Sequence, residues 1–432
     1  MKRKQFIKNA ALTAAGSIVM PYILPTGRLF AATGTRRANH VVFCLFAGGV
    51  RNLESMQKAD GNLMMNTLTG NESISSDILP GMVALPQLAT TRLQTQGTLF
   101  KKFQYASGPT GHYNGHTTAI TGRYSDEAIR LKEPPLYPTI FEYYRKHNPG
   151  SNSALNAWWV SNALGPYPFL NYSSYPGYGA MYGANAIQPY SLAQPSSYSV
   201  LGNPLQLNNT EKEKCDLMKE FMNGQFRTST QLLSSGIKNT PADAEHLQTF
   251  LRQMMTDVNS GMYDNPWGGV PMTGDLRNIY AGIKIMQEFK PELMVINMQD
   301  IDVGHFKFTQ YINAIRMADF ALYKLWEAIQ STPGMANDTV LIVVPEHGRN
   351  LDTNTVVDEY GRYALDHTND AMSREIFCLM LGPSGVIRQN QSFSAAQGES
   401  IDIAPTIANI LGFDTDIPGG MLDGRVLTEA FA

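Results

Sequence analysis

The chain has 432 residues, of which 43% are hydrophobic and 16% charged, with a formal net charge of −3. That balance suits a well-buried globular protein and excludes a disordered one. With no basic blocks, nucleic acid is not expected as a partner.

Residues 1–32 read as an export signal. "MKRKQFIKNAALTAAGSIVM" has a basic start and a modest apolar run, and the small residues Ala31 and Ala32 follow. The run is too short for a permanent membrane anchor. Arg3-Lys4-Gln5-Phe6-Ile7-Lys8 resembles the twin-arginine signal with Lys4 in place of the second arginine, and a general secretory signal is the alternative. Cys44, Cys215 and Cys378 are too sparse and too odd in number for a disulfide framework and read as small buried hydrophobes.

"HVVFCLF" (40–46) is a continuous apolar run ending in Ala47-Gly48-Gly49, the pattern of a central parallel strand entering a tight loop. "LMVINM" (293–298), "TVLIVV" (339–344) and "IFCLMLG" (376–382) repeat it. Between the second and third runs, "YINAIRMADFALYKLWEAIQ" has helical spacing, so strand, helix and strand form a βαβ unit. "IDIAPTIANILG" (401–412) reads as a closing helix stopped by Gly412. The expected fold is a doubly wound, mostly parallel α/β sheet with helices on both faces. Residues 33–432 form one domain, with an irregular, aromatic-rich insertion at approximately 150–290.

Chemistry-bearing residues gather at strand ends. "QDIDVGH" (299–305) follows one strand, "PEHG" (345–348) follows another, "LDHTND" (365–370) precedes a third, and "GHYNGH" (111–116) precedes "TTAITG". Ligands of open parallel sheets bind beyond the carboxyl ends of the strands. Imidazole and carboxylate together suit a divalent cation such as zinc, as one or two ions. A lone strand-end histidine is ordinarily solvated or capping; four such segments together favour a site.

These segments resemble the alkaline phosphatase superfamily, which includes phosphodiesterases and sulfatases, and most nearly an exported, sulfatase-related bacterial family. The resemblance rests on Asp302 with His305, on Glu346-His347-Gly348, on His367 before "IFCLMLGP", and on the closing "SIDIAPTIANILGF…LDGRVLTEAF". It covers about 140 C-terminal residues and touches two N-terminal segments. It implies that Asp302, His305, Glu346, His347 and His367 are metal ligands, with Asp300 as a rival to Asp302.

The chain departs from that pattern in three places. No carboxylate follows strand one until Glu54, Glu346 stands where Asp is usual, and His112 occupies the position of the usual Thr nucleophile, ten residues before Gly122. His112 is therefore a catalytic candidate, as nucleophile or as metal ligand. Arg349 and Arg51 are candidates to clamp an oxyanion, with a surface ion pair as the alternative. The resemblance implies an exported hydrolase of small-molecule or glycan phosphate or sulfate esters, using metal-activated water or His112. A non-catalytic binding or surface-assembly protein on the same scaffold is the alternative.

Overall fold

Alternate residues of the central strands face opposite sides of a sheet, so a run that is apolar at every position must be covered on both. The computed structural model bears this out and describes residues 34–70, 73–125, 133–148, 153–162, 169–192, 239–368 and 370–432. Residues 1–32, expected to be an export signal, and Cys215 lie outside these residues.

Eight strands form one sheet among the described residues: β1 His40–Phe46, β2 Gly97–Gln104, β3 Ala157–Val160, β4 Asn185–Ile187, β5 Leu293–Met298, β6 Thr339–Pro345, β7 Glu375–Leu381 and β8 Gln391–Glu399. Their order is β4-β3-β5-β1-β6-β7-β2-β8. β1 is flanked by β5 and β6, both parallel to it, while β7 runs antiparallel to β6 and to β2. The sheet is thus mostly parallel with one reversed strand.

Six longer helices carry the site or cover the sheet: α1 His112–Thr121, α2 Ile140–His147, α3 Pro241–Asn259, α4 Gly274–Phe289, α5 Phe308–Ser331 and α6 Ile403–Ile410. One face, with Val42, Cys44, Ile296 and Val343, packs against Phe250 of α3, Ile279 of α4 and Ile315 of α5. The other, with Phe43, Val295 and Ile342, packs against Ile120 of α1, Tyr144 of α2 and Ile407 of α6. Cys44 and Cys378 are buried free thiols in this core. No helix among the described residues is long and apolar enough to cross a membrane.

Within the stretch expected as an insertion, 150–290, the described residues include regular elements. "AWWV" and "NAI" extend the parallel sheet as β3 and β4, and α4 packs on the sheet itself. These strands hold only four and three residues, too few to show a period.

Phe377 is fully buried on β7, edge-on to Phe46 of β1 at 6.2 Å between ring centroids. Phe377→Ala should leave a cavity that costs about 3–5 kcal/mol. Urea unfolding followed by circular dichroism checks this, and an unchanged midpoint would contradict the packing.

Candidate metal centre

The strand directions bring five segments to one edge. β1, β5 and β6 end there, in Gly48-Gly49, in a 3₁₀ turn Asp300–His305, and in Glu346-His347. The antiparallel β7 starts there, so the loop carrying His367 precedes it. β2 also ends there and is followed by α1, which opens with His112.

The helix α1 is set against Glu346 by "HYNGH". His112 and His116 lie four apart, on one helical face. A Cβ on Gly115, between them, would stand 2.8 Å from the Glu346 carbonyl oxygen, so a larger residue would push the helix away. Gly48 and Gly49 give room on the other side: side chains there would collide with the Asp302 backbone and the His347 ring. Both also have positive φ, of 100° and 78°, the left-handed region that glycine tolerates.

His112 sits at the middle of the cluster. Its Nδ1 is 2.6 Å from Glu346 Oε1 and its Nε2 is 2.8 Å from Asp302 Oδ1. His367 Nε2 is 3.0 Å from His112 Nε2 and 2.8 Å from His305 Nε2. His347 Nε2 is 3.3 Å from His112 Nδ1 and 3.3 Å from Glu346 Oε1.

Partners behind the rings set their orientation. His305 Nδ1 meets Asp366 Oδ1 at 2.9 Å, His347 Nδ1 meets the Gly348 carbonyl at 2.7 Å, and His367 Nδ1 meets the Thr110 carbonyl at 2.5 Å. A carbonyl or carboxylate oxygen only accepts, so each Nδ1 holds the ring proton and donates. In a neutral ring each Nε2 then points inward as a lone pair. With both rings neutral, the 2.8 Å separation of His305 Nε2 and His367 Nε2 sets two lone pairs face to face with no proton to share. A cation between them relieves that repulsion, so the donor set fits a metal. Two groups have the required closeness: His112, Asp302, His305 and His367, and His112, Glu346 and His347.

Charge follows the same geometry. Burial would raise the Glu346 carboxyl, yet His116, His112 and His347 hold it well below the usual carboxylate range. Burial would lower His112, but Glu346 and Asp302 outweigh it and raise the ring to about 9. Asp302 is lowered: burial would raise it, and His112 and Arg349 prevail. Burial drives His347 well below the ordinary imidazole value. His367 falls to about 4 through burial and the neighbouring His112, Arg349 and His305. His347 and His367 are therefore neutral, the form that ligates metal.

Asp302, His305, Glu346, His347, His367 and His112 come together at this edge. Asp300 does not: it accepts from the backbone N–H of Asp275 at 2.8 Å, in the first turn of α4. The two arginines correct the sequence reading. Arg349 is fully buried, and its guanidinium donates to the carbonyls of Gly49, Leu365 and Gly48 and, more weakly, to Asp302. Arg51 is spent on Glu54 and on the carbonyls of Asn350 and Leu351. The partners of both guanidinium groups come from the chain itself, and each ties strand-end loops together.

Two supporting residues were read weakly or not at all. His116 Nδ1 lies against Glu346 Oε2, and its Nε2 meets Asn297 Oδ1 at 2.9 Å. Asp366, behind His305, was not singled out, although an acid directly before His367 was a usable signal.

No family model matches the chain, and no curated protein does. Solved structures similar to it include a protein in the alkaline phosphatase superfamily from Vibrio parahaemolyticus (12% identity, TM-score 0.46, covering 100% of this chain and 80% of that one). A variant of the alkaline phosphatase PafA is similar at 10% identity and TM-score 0.49, covering 93% of this chain and 100% of that one. A phosphonate monoester hydrolase of Agrobacterium radiobacter is similar at 11% identity and TM-score 0.44, covering 90% of this chain and 76% of that one. With all three TM-scores below 0.5, what the site does is read from its own geometry.

As a loop tie, Arg349 contributes to stability. Arg349→Met should strand several buried carbonyls and lower stability on the order of 3 kcal/mol. Thermal unfolding measures this. An unchanged Tm combined with lost phosphate binding would restore the anion-clamp role.

Proposed function

We propose that the chain is an exported, metal-dependent hydrolase of phosphate or sulfate esters, small-molecule or glycan. Asp302, His305, Glu346, His347 and His367 are its metal ligands. His112 joins them as a ligand rather than serving as a nucleophile. The observation that carries this reading is the convergence of inward imidazole lone pairs and two carboxylates at the carboxyl edge of the sheet. The nitrogen and oxygen donors suit zinc. The basic start and apolar run of residues 1–32 support export.

When bound, a divalent cation supplies Lewis-acid charge at the ester oxygens and makes water more acidic. The chain's own groups hold and orient that charge. Glu346 and Asp302 supply the negative balance, and Asp366 fixes the His305 ring. Both nitrogens of His112 are engaged, which argues against attack by its ring on phosphorus or sulfur. A binding protein on the same scaffold is the second reading, favoured by the fully engaged Arg349 and Arg51.

Purified full-length protein, loaded with zinc, should cleave an activated phosphodiester or sulfate ester, and chelation should abolish turnover. Asp366→Ala should weaken zinc uptake about 10–100-fold by freeing the His305 ring. A zinc-loaded protein inert toward phosphate, phosphonate and sulfate esters would support the binding-protein reading.

Uptake should also depend on pH. Below its pKa of about 9, His112 carries a proton on each nitrogen, donated to Asp302 and Glu346. A first cation must displace one proton there, so affinity for it should climb about tenfold per pH unit toward that pKa and then level off. Equilibrium dialysis across the range measures the slope. A flat profile would show that His112 is not a ligand.

A further inference from the structure

We infer that His112 is a bridging ligand, its Nε2 facing one cation and its Nδ1 a second. The inference rests on the metal reading above and specifies how the two groups of donors share one residue.

Two sets of donors surround the ring. On the Nε2 side are Asp302 Oδ1 at 2.8 Å and His367 Nε2 at 3.0 Å. His305 Nε2 closes this set, 2.8 Å from His367 Nε2 and 3.4 Å from Asp302 Oδ1. Four donors around a tetrahedral zinc, each at about 2.0–2.1 Å, stand roughly 3.3 Å from one another, so these separations need little adjustment.

On the Nδ1 side are Glu346 Oε1 at 2.6 Å and His347 Nε2 at 3.3 Å, themselves 3.3 Å apart. The two lone-pair directions of an imidazole diverge, so one cation cannot use both nitrogens. Two cations can, with the ring between them. The Nε2 subsite has four protein donors and is closed. The Nδ1 subsite has three and leaves a position open, the arrangement of a catalytic rather than a structural site.

The residues around His112 hold the ring in the bridging position. It is the first residue of α1, whose placement is set by Gly115 against Glu346. A carboxylate stands at each nitrogen and offsets the charge of each cation. Filling both subsites sends the proton of each ring nitrogen to solvent and leaves a shared imidazolate; no other bond changes.

Copper(II) titration of the full chain tests this. Plasma mass spectrometry after dialysis counts the ions, and electron paramagnetic resonance reads their coupling. The wild type should bind two coppers, and the integrated spin should fall by more than half between the first and second equivalents, because the imidazolate couples them. His112→Ala should abolish that loss of spin. If that variant fails to fold, the wild-type titration decides alone. Two ions with additive spin, or one ion only, would overturn the bridge while leaving the hydrolase reading in place. A wild type that takes up no copper and no zinc would overturn both.

Discussion

A carboxylate with no solvent exposure, at the end of a central strand, is the constraint around which this site is built. Leaving Glu346 unpaired there would cost several kcal/mol. The fold meets it from three sides. His112 and His116 approach from α1, His347 stands beside it, and the Gly48 N–H donates to Oε1 at 2.5 Å. Each partner needs a local allowance in the sequence: four-residue spacing on α1, glycine at 115, and glycines after β1. Glutamate is one methylene longer than aspartate, and here its side chain reaches across to the β1 loop, to the Gly48 N–H.

The sheet topology explains why distant segments meet. β6 lies beside β1 and β1 beside β5, so their carboxyl ends are adjacent. The reversed β7 brings His367 to that edge from the opposite chain direction. Arg349 then fixes the spacing of the strand-end loops by donating to carbonyls of the β1 loop and of Leu365. A buried guanidinium suits this role because its planar fork offers several donors at once.

The central sheet was legible because β1, β5, β6 and β7 are buried on both faces and therefore read as unbroken apolar runs. β8, "QSFSAAQGE", was not, being partly exposed and polar at the sheet edge. β2 was obscured by Lys101 and Lys102, the partly exposed residues in its middle. The residues of the cluster were legible as a group because they sit at strand ends. The choice between Asp300 and Asp302 was not, because a 3₁₀ turn decides which carboxylate faces the cluster and which one α4 takes. Arg349 was misread for a related reason: adjacency to Glu346-His347 says nothing of which way a long side chain turns, and this one turns into the loops.

The idea that most of this depends on is that the inward nitrogens surround cations rather than share protons. Anomalous diffraction at the zinc edge, on crystals grown with zinc, tests it most directly. The predicted result is anomalous density in contact with His305 Nε2, His367 Nε2 and Asp302 Oδ1. The contradicting result is an edge of the sheet without anomalous density, with the rings linked to one another through ordinary hydrogen bonds.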